Sequence, residues 1–405
     1  MGTRILFLIT FFLFFNIHAG NTENDHYVII ALDAPPMGRE GIYKKNNYAD
    51  IFCNTFFSSG KKKKNIFPEE EWLDSSPEQQ GVNSDRMMKA LNYLKSSVNK
   101  NGIDEVVIVR NGYVIFEGSN TGRAHGIASC TKTFTSTVLG LLIDEGRIKL
   151  DDHAADHEPL LAESYPEVTF RHFTTMTSGY NAVGKNRWDG GLTEDWSWTP
   201  YDPDEPFFVP GTVFAYWDEA QMMFGRVLTR VLNRTMESYL KEKIGNPIGI
   251  QFSWKAEGDL SGLPINNGCS DVRINAKDLA RWGWLFLNEG KWDGKQLISK
   301  KWVKLATSVQ VPLSIPVADT DRSYIVGPGC YGFNWWVNGK KADGDRKLPG
   351  APEGCYFASG ANNNRCFVIP EWNMVVVRMG TDGNIDDADK VYGTFLEMLG
   401  EALMD

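Results

Sequence analysis

The 405-residue chain is 42% hydrophobic and 23% charged, long and apolar enough to bury one large or two intimate domains. Its formal net charge of -9 excludes the basic footprint of a nucleic-acid binder. The one basic run, Lys61 to Lys64, reads as a solvated linker between Gly60 and Asn65.

At the N-terminus, Arg4 precedes an almost unbroken apolar run from Ile5 to Ile17, followed by His18-Ala19-Gly20. That order reads as a signal peptide over residues 1–20, with a retained anchor as the alternative. The run falls short of the roughly twenty apolar residues that span a bilayer, and no later segment is long and apolar enough to cross one. The expected protein is therefore exported (secreted or periplasmic, or lumenal), with no stable membrane insertion once the signal is removed. Residues 21–70 carry few helix or strand periods and are expected to form an N-terminal extension ending in the basic linker.

From Trp72 the pattern is that of a folded domain. Met87, Met88, Leu91 and Leu94 predict a helix over Ser84–Ser97 with Ser84 as N-cap. Val106–Val109 and Tyr113–Phe116 flank Asn111-Gly112, residues that tolerate positive φ, and predict a hairpin. Next, Phe134, Val138, Leu141 and Leu142 line one face of a helix that starts near Ser129 and stops at Gly146. The middle of the chain mixes loops with helices predicted at Glu219–Val231, Met236–Ile244 and Ala276–Leu287. Strands are predicted again at Tyr331–Val337, Gly354–Ser359, Arg365–Ile369 and Met374–Met379, before a terminal helix at Asp386–Leu403. Early and late strands around a helical middle imply one antiparallel sheet interrupted by a helical insertion.

Chemistry is suggested by Ser129-Cys130-Thr131-Lys132. A serine hydroxyl attacks only when a base takes its proton, and i, i+3 spacing puts Ser129 and Lys132 on one helix face. The N-terminus of that helix offers free N–H groups to a developing oxyanion. Ser-x-x-Lys also occurs at Ser58–Lys61, Ser59–Lys62, Ser97–Lys100 and Ser238–Lys241, but only Ser129 opens a strongly apolar helix directly after a hairpin. Cys130 is a competing thiol, turned about 100° away on the helix. His125 just upstream reads as a loop histidine.

The stretch Gly126–Phe134, running on to Gly140-Leu141-Leu142-Ile143-Asp144-Glu145-Gly146, resembles the serine β-lactamase and penicillin-binding-protein superfamily, in its class C and esterase-like branch. Arg171–Gly179, Pro210–Tyr216 and Asn275–Arg281 resemble further segments of that branch in the same order. The resemblance implies an α/β fold of the α+β type: a five-stranded antiparallel sheet flanked by helices, with an inserted, mostly helical domain. It places the sheet domain at 71–148 plus 325–405, the helical domain at 149–324, and a catalytic cleft between them. It also implies an acyl-enzyme on Ser129, with Lys132 and Tyr216 moving the proton and the backbone N–H groups of Ser129 and Ala361 holding the oxyanion. No metal or organic cofactor is needed.

Two positions depart from the resemblance. The second motif is Tyr216-Trp217-Asp218, with aspartate where the family has asparagine; a carboxylate there is expected to keep Lys132 protonated and shift base work to Tyr216. The third motif reads Ala358-Ser359-Gly360, without the family's basic residue, and Arg365 on the next strand is the candidate compensating cation. The substrate-binding candidates are thus Asp218, Trp217, Ser359, Gly360 and Arg365. Trp188, Trp196, Trp198, Tyr201, Phe207, Phe208 and Trp217 form an aromatic cluster, read either as walls of an apolar pocket or as packing.

Six cysteines carry no C-x-x-C pair; Cys355 and Cys366 flank a hairpin and are either bridged across it or buried free thiols. His153 and His157 read as surface polarity, not metal ligands, and Asn233-Arg234-Thr235 is a glycosylation sequon. The expected partner is a small-molecule or short-peptide ester or amide; a non-catalytic relative that binds a peptide, cell-wall fragment or protein is the alternative, and oligomeric state is left open.

Overall fold

The computed structural model describes residues 65–184, 196–320 and 322–404. The signal-peptide and linker expectations, and Trp188, lie outside the described residues. Chain order gives strand β1 (Leu73–Asp74), helix α1 (Ser84–Ser97), β2 (Val106–Arg110), β3 (Tyr113–Glu117), β4 (His125–Gly126) and α2 (Thr131–Asp144). There follow α3 (Asp218–Leu232), β5 (Ser253–Trp254), β6 (Val272–Ile274), α4 (Ala276–Leu287) and α5 (Lys300–Ala306). The chain ends with β7 (Trp336–Val337), β8 (Tyr356–Gly360), β9 (Asn364–Ile369), β10 (Met374–Arg378) and α6 (Ala388–Glu401).

The main sheet has seven strands in the order β1-β3-β2-β10-β9-β8-β7. Its centre is the expected set of five longer antiparallel strands, β3-β2-β10-β9-β8, with a two-residue strand added at each edge. The added β1 runs parallel to β3. Asn111 and Gly112 turn β2 into β3 at φ 56° and 90°, the left-handed geometry of a tight hairpin.

Strand periodicity assigns the sheet two buried faces. Val106, Ile108, Phe357, Phe367, Met374 and Val376 point to one side, against Met87, Leu91 and Leu94 of α1 and Tyr392, Phe395 and Leu399 of α6. Val107, Val109, Ala358, Cys366, Val375 and Val377 point to the other, under α4. There Gly283 of α4 crosses so closely that a Cβ would lie 2.7 Å from Val375 and 2.8 Å from Cys366. Phe134 of α2 stacks on Trp282 of α4 with ring centroids 3.9 Å apart, tying the Ser129 helix to this layer.

Several boundaries differ from the sequence reading. Asn83, not Ser84, caps α1, its side chain accepting from the Arg86 amide at 2.9 Å. Tyr331–Val337 is a turn with only Trp336–Val337 in the sheet, because Gly332 and Asn334 carry it around Phe333. Helix Met236–Ile244 breaks at Leu240 into a wider turn over Lys241–Gly245. Cys355 and Cys366 are both free and buried. They cannot meet: Cys366 pairs with Ala358 in register, and the two thiols belong to opposite faces of the sheet.

Candidate active site

Ser129 lies in a 3-10 turn, Ala128–Cys130, that feeds directly into α2. Ala128 before it is held at φ 46°, a left-handed conformation that a non-glycine residue adopts only when its surroundings impose it. Two neighbours do so. The amide of Ile127 donates to the Val272 carbonyl at 3.0 Å, extending the β4–β6 pairing, while Gly360 of β8 presses on the other side. A Cβ on Gly360 would fall 2.2 Å from the Ile127 carbonyl oxygen and 3.1 Å from the Ser129 nitrogen. Only glycine fits there, so β8 lies directly against the nucleophile turn.

α2 is buried almost all round, which explains why its sequence shows more apolar and threonine positions than one amphipathic face needs. Lys132 on its first turn is 1% exposed and donates to Ser129 Oγ at 2.9 Å, to Asp218 Oδ1 at 2.6 Å and to the Cys269 carbonyl at 3.3 Å. The i, i+3 spacing therefore brings the pair together as expected. Tyr216, on the segment that enters α3, and Asp218, the first residue of that helix, reach the same point, and Lys132 Nζ sits 4.8 Å from the Tyr216 ring centroid. Trp217 between them alternates to the opposite side. It is 2% exposed, packs edge-on against Phe207, and does not line the cleft, contrary to its candidacy as a substrate contact.

Asp218 is a hub. Besides Lys132, its Oδ2 accepts from Trp196 Nε1 at 2.8 Å and from an Arg322 guanidinium nitrogen at 3.0 Å. Burial opposes its ionisation, but the Lys132 and Arg322 charges outweigh that and hold the carboxyl below its usual range. For Lys132 burial favours the neutral amine, yet the Asp218 charge, helped by Tyr216 and Cys269, prevails and raises the ammonium above the ordinary lysine value. Burial is also the main cause of a raised Tyr216 phenol, opposed by the Lys132 charge and reinforced by that of Asp218. Arg322 had no sequence signal, since it reaches Asp218 from 104 residues away.

An open cleft of about 830 Å³ spreads from Ser129, lined by Tyr216, Asp218, Trp196, Ser359, Gly360, Ala361 and Arg365 among others. Ala361 begins a turn in which Asn362 and Asn363 both adopt left-handed φ values of 62° and 59°. The turn is pinned by Arg378 on the Asn362 carbonyl at 2.8 Å and by Asn384 Oδ1 on the Asn362 amide at 2.8 Å. Ala358 is 1% exposed within the core. Arg365 spends one guanidinium nitrogen on the Gly360 and Asn364 carbonyls, both at 2.8 Å, and so braces the β8–β9 turn at the cleft edge.

Of the described members of the aromatic cluster only Trp196 lines the cleft; Trp198 is solvent-exposed, and Tyr201 and Phe208 pack against the core. Cys130 is fully buried, donates to the Asn364 carbonyl at 3.4 Å, and has a thiol pushed up to about 12 by burial, which removes it as a competing nucleophile. His125 is also buried, its Nε2 2.6 Å from Glu105. Asn233 is exposed at the C-cap of α3 with φ 52°.

The Beta-lactamase family profile matches residues 102–392. The 6-aminohexanoate-dimer hydrolase of Paenarthrobacter ureafaciens is 23% identical over 329 residues, covering 76% of this chain and 80% of that protein. A penicillin-binding protein homologue from Caulobacter crescentus superposes with a TM-score of 0.58 at 17% identity, over 80% of this chain and 99% of its own. EstCE1, a hydrolase with promiscuous acyltransferase activity, superposes at 0.58 with 15% identity, over 79% of this chain and 99% of its own.

Proposed function

Because this chain belongs to the Beta-lactamase family, we propose that it is a serine hydrolase that cleaves an ester or amide of a small molecule or short peptide through an acyl-enzyme on Ser129. The observation that carries this reading is the Lys132 ammonium 2.9 Å from Ser129 Oγ at the floor of an open cleft. Ser129 Oγ attacks the carbonyl carbon as its proton passes to the Tyr216 phenolate, which becomes the phenol, with Lys132 holding the hydroxyl by donating to it. The carbonyl electron pair moves to oxygen, where the Ser129 and Ala361 amides receive it. Collapse expels the alcohol or amine, which takes the proton from Tyr216, and water releases the acyl group by the same steps in reverse order.

Ester or amide cleavage suits the site better than β-lactam hydrolysis, since Ala358 supplies no cation on β8 and Arg365 is engaged with backbone carbonyls. The Paenarthrobacter relative, named a hydrolase of a 6-aminohexanoate dimer, supports the hydrolase reading. Export through the apolar run at residues 5–17 is part of the proposal. The Lys132–Asp218 ion pair at 2.6 Å motivates a second reading, a relative that binds without turnover. A fluorophosphonate probe separates the two: labelling that vanishes in Ser129→Ala supports the hydrolase, and absence of labelling by several electrophiles supports the binder.

A further inference from the structure

One segment of the cleft wall behaves unlike the rest of the apolar surface. Tyr324 is 76% exposed and Val326 40% exposed, although both border the cleft that contains Ser129. Their exposure does not come from a loose attachment. Ile325 between them is partly buried against the core while also bordering the cleft, and its amide donates to the Arg322 carbonyl at 2.9 Å, closing a turn. Arg322 is itself bound to Asp218. Gly327 lies so flat on Phe214 that a Cβ would be 2.2 Å from the ring. Upstream, Phe214 and Val317 form a strand-like bridge, with the Ala318 amide on the Phe214 carbonyl at 2.8 Å. Tyr324 and Val326 thus stand exposed at the cleft on either side of the partly buried Ile325, in a turn that these contacts hold in place. Ile385 adds a further partly buried apolar side chain to the same cleft lining.

Large apolar groups held rigidly at the mouth of a catalytic cleft keep water ordered over surface that a ligand covers on binding. Among the described residues of the Trp-rich segment only Trp196 reaches the cleft, and its indole N–H is committed to Asp218. We propose that the substrate carries an apolar chain beside its scissile bond, and that Tyr324, Val326 and Ile385 form the subsite that seats it and select for its length. This rests on the hydrolase reading, because the chain is positioned by the same cleft that presents Ser129.

The test uses the whole protein with 4-nitrophenyl esters from acetate to octanoate, which lengthen the acyl side, and n-alkyl acetates, which lengthen the alcohol side. In the wild type kcat/KM should rise with chain length in one series by about fourfold per methylene while the subsite fills. The Tyr324→Ser, Val326→Ser double variant should flatten that rise and leave the shortest ester within about twofold. The responding series identifies the side of the bond that is seated. Equal losses on every ester, or a flat wild-type profile in both series, overturn the proposal. Calorimetric binding of octanoate against acetate to Ser129→Ala protein reads the subsite without turnover. If fluorophosphonate fails to label the wild type while octanoate still binds more tightly through Tyr324 and Val326, the hydrolase reading falls and the subsite stands. If labelling succeeds and both acids bind alike, the subsite falls and the hydrolase reading stands.

Discussion

Asp218 accepts from Lys132, Trp196 and Arg322, so its charge is compensated on both oxygens and its proton is hard to restore. Its effect on chemistry is indirect, through the groups it faces. Asp218 raises both the Lys132 ammonium and the Tyr216 phenol, so the deprotonated base required for attack is a minor species near neutrality. Acylation is therefore expected to accelerate as pH rises. Removing the carboxylate lowers both groups, and Asp218→Asn should move the rising limb of kcat/KM to lower pH by about one unit or more. A profile of a neutral ester between pH 6 and 10 checks this, and an unmoved or upward-moved limb contradicts it. Tyr216→Phe should cost about 100-fold in single-turnover acylation while Ser129 remains in place; full acylation in that variant would transfer the base role to Lys132. Ser129 and Lys132 were legible from their i, i+3 spacing, whereas Tyr216 and Asp218, the latter 86 residues from the Lys132 it binds, were legible only through the resemblance of Tyr216-Trp217-Asp218 to a family motif. Arg322 was not, because a guanidinium arriving across 104 residues leaves no periodic trace.

At the scale of elements, the site exists because β8 is forced against the nucleophile turn. Gly360 permits a contact that no side chain allows, and the strained Ala128 is the matching feature on the other side. Gly360→Ala should push β8 and the turn apart, which misaligns the Ser129 and Ala361 amides. The expected result is a loss of about 100-fold or more in acylation rate, against a stability loss of about 1–3 kcal/mol for overpacking. Urea unfolding and phosphonate labelling rates measure the two separately, and equal modest losses in both would deny Gly360 a special place. The hairpin at Asn111-Gly112 and the helices α1 and α4 were legible because their own residues carry the period and the turn chemistry. The short strands β4, β5 and β6 were not. Two or three residues hold no period, and these exist only because they pair with one another. Trp217 misled for a related reason: it sits in a motif whose alternate positions face opposite ways, and sequence order does not say which.

The whole described fold joins sequence-distant pieces: β10 pairs with β2, and the Met404 amide donates to the Gly81 carbonyl at 2.9 Å beside the bridge between Val82 and Leu403. Sequence reading divided this region into a sheet part and a helical part, and α2 is buried almost all round. Lys63–Asp405 form one compact unit by their contacts. One cooperative unfolding transition is therefore expected, and two distant substitutions test it. Phe395 is fully buried between α6 and the sheet, so Phe395→Ala should cost about 3–5 kcal/mol. In the helical part, the fully buried Glu158 accepts from Arg226 Nε at 2.8 Å and Arg230 Nε at 2.7 Å, and Glu158→Ala should cost about 1.5–3 kcal/mol by removing these charge-assisted bonds from two partly exposed arginines. In a single cooperative unit each variant shifts the same urea transition, whichever part is monitored, and the two losses add within about 0.5 kcal/mol. Two transitions, one moved only by Phe395→Ala and the other only by Glu158→Ala, would show instead that the sheet part and the helical part unfold separately.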